Sequence, residues 1–219
     1  PLKDLTMKAQ LRPLLLSLAL ALPLSTAWAF DEAGFNAAFA HLQKAREGDS
    51  KSVDVAVDAF RKLSSQEPAN PLLRAYQGSV EALQGREALM PWNKMKYTEN
   101  GLATLDKALQ QLSPEHEHEL ARGVPVLLET RLVAANTFLS LPSLFNRGPA
   151  GHQQLQALIS HPQLLKAPEG FRQAVVELAV KTAQNEKLPA ERIGQLQALA
   201  SADAAQRAQA QAQIKDLWK

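Results

Sequence analysis

The sequence predicts an all-α protein built of antiparallel helical hairpins, about eight helices in all, on three observations. After residue 30 the chain is rich in Ala, Leu, Gln, Glu and Lys and poor in β-branched and aromatic residues. That composition favours helix over strand. Apolar residues recur at three- and four-residue steps, as Phe35, Ala38, Phe39 and Leu42, then Val53, Val57, Phe60 and Leu63, then Leu102, Leu105, Leu109 and Leu112. No convincing alternating run of four to eight residues appears, so nothing reads as a half-buried strand.

In chain order, the first element is a leader. Met7 reads as the start, with residues 1–6 an upstream extension. Lys8 and Arg12 form a short positive region, Leu14 to Leu22 an apolar run, and Ala27-Trp28-Ala29 offers the small residues of a cleavage site. This is the pattern of a secretory signal cut after Ala29. The competing reading, a retained anchor, is disfavoured because the uncharged stretch from Pro13 to Phe30 only reaches the minimum of about 17 residues for a span, and Pro23 and Ser25 weaken its far end. The expectation is an exported protein, periplasmic in a double-membrane bacterium, with no stable membrane span and residues 30–219 forming one domain.

Punctuation divides that domain. Gly48-Asp49-Ser50 ends the first helix and offers a cap to the second. Glu67 to Pro71 is a turn with Pro71 suited to a first helical position. A third helix is expected over about Leu72 to Leu89, a break at Pro91, and a fourth helix from about Tyr97 to Leu112. The fifth, Pro125 to Leu141, carries one apolar stripe of Val124, Leu127, Ala134 and Phe138 and another of Leu128, Leu132, Ala135 and Leu139. A helix apolar on most of its circumference packs on both sides. Pro142 to Pro149 is expected as a surface loop or short turn, followed by helices near His152–Ile159, Pro168–Gln184, Pro189–Ala200 and Ala202–Trp218.

Within this frame Ala56-x3-Phe60 followed by Pro68, then Gly78, then Ala108 within Leu102 to Pro114, has the spacing of small and aromatic residues that lets paired helices nest. The stretch from about 52 to 114 resembles one and a half tetratricopeptide units. Arg74, Gln77 and Glu81 depart from that pattern, which has large apolar residues there, and Gly85 to Asn100 reads as an extra segment. The resemblance implies a core at about 50–145 wound as a right-handed superhelix, C-terminal helices over 150–219, and a concave face that binds a peptide or protein. A non-repeating bundle uses the same turn chemistry.

Charge and cysteine content narrow the function. Lys3, Lys8, Arg12 and Asp4 precede the cleavage point, so the 24 basic and 22 acidic residues balance in the remainder. A nucleic-acid partner needs a basic face and is not expected. The absence of cysteine excludes disulfides, thiolate metal sites, cysteine nucleophiles and lipid attachment at a cleaved terminus.

Trp92-Asn93-Lys94-Met95-Lys96-Tyr97 gathers aromatics and cations as a recognition surface would. Equally, Trp92 and Met95 can pack inward with Leu102 while Lys94 and Lys96 stay solvated. Arg131, on an apolar stripe, must be paired or reach a cavity; the choices are an anion-binding arginine or an internal pair with Glu81 or, less favourably, Glu129. Arg147 is a weaker case of the same kind, beside turn residue Asn146. A peptide groove is expected to combine Tyr76, Lys94, Tyr97, Arg131 and Asn136.

His116 and His118 suggest a metal, but residues two apart on a helix point about 200° apart, and zinc needs three or four fixed ligands. No nucleophile–base pair and no phosphate-cradling glycine loop occurs. The expectation is a binding or scaffold protein without catalysis or cofactor. The alternatives are a metal- or small-ligand-binding protein and a helical hydrolase.

Overall fold

Asp31 accepts a hydrogen bond from the Gly34 N–H at 2.8 Å and so starts the first helix, α1 (Glu32–Arg46). A computed structural model describes residues 31–214 and 217–218, and the leader and its cleavage site lie outside the described residues. After Glu47, Gly48 and Asp49, the Asp49 carboxylate accepts from the Lys51 N–H and opens α2 (Ser50–Gln66). Asn70 does the same for α3 (Pro71–Glu87), accepting from Leu72 and Leu73, with Pro71 in the first turn.

Then come α4 (Pro91–Gln110), α5 (Val126–Ser140), α6 (Gly148–Ile159), α7 (Glu169–Asn185), α8 (Ala190–Ala198) and α9 (Ala204–Gln213), nine helices among the described residues. The chain is all-α, and no helix among the described residues is long and apolar enough to cross a membrane.

Four boundaries differ from expectation. Pro91 begins α4 instead of breaking the chain: its fixed φ suits a first helical position, and Asn93 and Lys94 donate to the Met90 carbonyl. Residues 85–100 are therefore no inserted segment but the end of α3, a three-residue turn and the start of α4. The expected loop at 142–149 holds a 3₁₀ turn over Ser143–Phe145, after which α6 starts at Gly148. Between α4 and α5 stands an unforeseen hairpin, β1 (Leu120–Ala121) and β2 (Val124–Pro125). Its turn residues Arg122 and Gly123 have φ of 52° and 78°, as a two-residue turn matched to strand twist requires.

Neighbouring helices pack in pairs, α1 on α2, α2 on α3, α3 on α4, α5 on α6 and α7 on α8. Alternate helices also touch, α3 on α5 and α5 on α7. Two apolar cores result, one around Phe35, Phe60, Leu72 and Leu105, the other around Leu155, Ile159, Val175 and Leu196. Helix α5 joins them, as its two apolar faces predict. The partition differs in detail, because Val124 and Leu127 go to the second core with Leu128, while Val133 goes to the first with Ala134 and Phe138.

The closest contact is the seam between α3 and α4. A Cβ at Gly101 would lie 2.4 Å from the Ala82 nitrogen and 2.5 Å from the Gly78 oxygen, and one at Gly78 would lie 2.7 Å from the Gly101 oxygen. Only glycines allow this approach. Beside it, the residues that break the tetratricopeptide pattern form a polar seam. Glu81 is buried and accepts from Gln77 Nε2 at 3.0 Å, Thr104 Oγ1 at 3.0 Å and Arg61 at 3.4 Å. Arg74 donates to the Pro68 carbonyl at 2.7 Å. Polar residues fill those positions because each finds a partner, Glu81 in the adjoining helices, Arg74 in the preceding turn and Gln77 on Glu81 of its own helix.

Candidate functional site: an open groove along alternate helices

Helices α3, α4 and α5 and the 141–145 segment, with one residue each from α1 and α7, line an open hollow of about 700 Å³. From α3 come Ser79, Leu83 and Arg86; from α4, Lys94, Met95 and Thr98; from α5, Asn136, Thr137 and Ser140. Arg46 of α1 and Lys181 of α7 close it on one side, and Leu144 and Phe145 on the other. A second hollow of about 390 Å³ shares Arg46, Asn136 and Lys181 with the first and continues over Phe39, Tyr76 and Leu178. Together they form one groove whose common wall is those three residues.

Its electrostatics are one-sided. The larger hollow is lined by four cations, Arg46, Arg86, Lys94 and Lys181, and by no carboxylate; the smaller adds Glu177 alone. Arg46 is exposed by area, yet its pKa is lowered, first by loss of solvent and also by the charge of Arg86, with Tyr76 acting the other way. The side chain is exposed, and the guanidinium stays charged. The mouth is apolar. Leu89, Met90, Trp92, Met95 and Leu144 are large hydrophobic residues left exposed at this corner, Leu89 to 94%.

Beneath the smaller hollow lies a charged cluster that the sequence did not reveal. Tyr76 is buried, stacks on Phe60 at 5.1 Å and donates its hydroxyl to Glu129 Oε1 at 2.7 Å. Arg122, carried in by the hairpin turn, also bonds Glu129 and lies 3.9 Å over the Phe35 ring. Burial first, then the Glu129 charge, raises the Tyr76 pKa well above the ordinary phenol value. The signal available was the pair Arg122-Gly123 ahead of an apolar helix, too short a pattern to separate from any loop.

The structure distributes the expected site residues unevenly. Lys94 and Asn136 line the larger hollow, and Tyr76 and Asn136 the smaller. Trp92 is 67% exposed beside the mouth and does not pack inward with buried Leu102. Lys96 is exposed and Tyr97 half-buried, both outside these hollows.

Arg131 points elsewhere. It donates to Gln154 Oε1 at 2.6 Å, not to Glu81 or Glu129, which bond other side chains as described. Partial burial lowers its pKa, against a raising influence from Glu117. Arg147 grips Asp106 with two bonds of 3.0 and 2.8 Å and lies 5.3 Å from the Phe138 ring, which ties the 143–145 turn to α4.

The histidine tract is turned to local structure. His116 Nδ1 sits 3.0 Å from the Ser113 N–H and its Nε2 3.9 Å from Glu119, while His118 is exposed. No group of three His, Asp or Glu side chains that could hold a metal ion forms among the described residues. Cation-lined, amide-bearing and rimmed with apolar side chains, the groove presents donors and apolar surface to a ligand. The class so defined is an all-α protein of paired helices with an open groove along its alternate helices. No family model matches the chain, nor does any curated protein or solved structure.

Proposed function

We propose that this chain is an exported, tetratricopeptide-like binding module that holds a segment of a partner polypeptide in the groove along α1, α3, α5 and α7, and that it works in the periplasm after removal of its leader at Ala29. The single observation that carries this reading is the groove itself, two confluent hollows of about 700 and 390 Å³, the smaller lined by α1, α3, α5 and α7 and the larger adding α4 and the 141–145 segment. A face made by every other helix is the surface that stacked hairpins present to a ligand. The buried contacts of Ala56, Phe60 and Ala108, and the glycine approach at Gly78, support the repeat reading.

Photo-crosslinking tests it. A photoreactive residue at Met95 or Ser140, both lining the larger hollow, is expected to give a discrete adduct in cells. The same residue at exposed Asp58 on α2 is expected to give none. Equal yields at all three positions refute the groove as the binding face. Recovery of the chain from the cytosol with Met7 still attached refutes the location.

A further inference from the structure

We infer that the groove selects an acidic, apolar-containing peptide in extended form, whose carboxylate side chains seat among Arg46, Arg86, Lys94 and Lys181. The inference rests on the binding reading above and adds the chemistry of the occupant. Its first support is a contrast between cations. Several arginines that tie the fold together meet a carboxylate of another segment, as Arg61 meets Glu81, Arg122 meets Glu129 and Arg147 meets Asp106, while others, such as Arg74 and Arg131, meet a carbonyl or an amide. In the groove, Arg46 and Lys181 have no carboxylate of a described residue within 4 Å; Lys94 reaches only the Arg86 carbonyl, at 3.5 Å; and Arg86 pairs with its own neighbour Glu87.

The four like charges come into one concavity from four helices, α1, α3, α4 and α7. Cations that share a hollow with low-dielectric walls repel one another and focus a field on whatever enters. A carboxylate entering meets charge-assisted donors on Arg46, Lys94 and Lys181 without having to break an ion pair to another described residue.

The second support concerns the rest of the ligand. Asn136 lines both hollows, and its carboxamide makes no hydrogen bond to another described residue. A carboxamide both donates and accepts, which suits a peptide unit and is more than a simple anion needs. Leu83, Met95 and Leu144 supply apolar lining, and exposed Leu89, Met90 and Trp92 extend it past the mouth. Apolar side chains alternating with acidic ones would meet both kinds of surface.

The test uses the full chain and three fluorescein-labelled decapeptides, alternating Glu-Leu, Gln-Leu and Lys-Leu, read by anisotropy. The Glu peptide is expected to bind about tenfold more tightly than the Gln peptide at low salt, with the advantage shrinking as salt screens it. The double variant Arg46→Met, Lys181→Met alters two exposed side chains. It is expected to abolish the advantage while leaving Gln-peptide affinity and the melting temperature unchanged. Equal affinity for Glu and Gln peptides overturns the charge inference and leaves the groove reading standing, as does a preference for Lys. Failure of every peptide to bind overturns both. Adsorption to phosphatidylglycerol vesicles without peptide binding also overturns both, and assigns the apolar corner to a membrane surface.

Discussion

Gly101→Ala and Gly194→Ala make the same chemical change inside two helices and are expected to move stability in opposite directions. At Gly101 the added carbon would sit 2.4 Å from a backbone nitrogen and 2.5 Å from a backbone oxygen of α3, where ordinary contact begins at 3.4 Å. Neither atom can rotate away, so α3 and α4 must separate by about 1 Å along the seam that also holds Gly78 and Gly85. Overpacking of this kind costs about 1–3 kcal/mol, and a backbone clash belongs at the upper end. Alanine returns up to about 1 kcal/mol in helix propensity. The net expectation is a loss of about 2 kcal/mol, or about 4–8 °C in Tm for a chain of this size.

Gly194, in α8, has nothing within 4 Å of its added carbon. There only the backbone term remains, a gain of about 0.5–1 kcal/mol. Urea and thermal unfolding followed by far-ultraviolet dichroism read both variants. If Gly101→Ala matches or exceeds the parent, α3 and α4 are not in backbone contact, and the wall of the groove formed by Leu83, Thr98 and Met95 stands elsewhere.

Other perturbations test the polar interior. Glu129→Gln strands Arg122 and is expected to cost about 2–3 kcal/mol in urea unfolding, below the usual figure for a broken buried pair because the Arg122 side chain is 23% exposed. The raised Tyr76 pKa means that the folded state holds its proton more tightly than the unfolded state. The stabilisation is whole below about pH 10 and is lost as pH climbs from there toward the folded value. Tyr76→Phe is therefore expected to lower stability at neutral pH, through loss of the bond to Glu129, and to flatten the alkaline limb, which a pH series of melting temperatures shows. Arg147→Ala removes the double bond to Asp106 between partly exposed groups and is expected to cost about 1 kcal/mol, less at high salt, with faster proteolysis at 143–145.

Much of the fold was legible because it is written locally. Asp49 and Pro71 mark helix starts by chemistry that involves only the next three residues, and the structure uses both of them so. Pro91 misled for the same reason, since a proline signals a helix start and a helix break alike, and only the helix that follows decides. The hairpin at 120–125 has strands of two residues, too short for any period to register.

The candidate site was much less legible. Arg46, Arg86 and Lys181 come from three helices far apart in the chain, and nothing about any of them as a single residue sets it apart from a solvated cation. Arg131 drew attention by its place on an apolar stripe, but its partner Gln154 is neutral, so no charge pattern pointed to it.

Arg122 and Arg46 show what the fold does with a charge. Arg122 is brought in by a turn with positive φ at both residues, laid on an aromatic ring and given a buried carboxylate and a phenol as company. Arg46 stands on the helix that supplies that ring, beside the same tyrosine, and receives neither a ring to lie on nor a carboxylate from the described residues. A carboxylate for it would have required only one substitution on a facing position such as Asn136 or Ser140. A ligand that supplies the charge to the folded state alone stabilises that state. The asymmetry between Arg122 and Arg46 thus separates an arginine committed to structure from one left open for an anion.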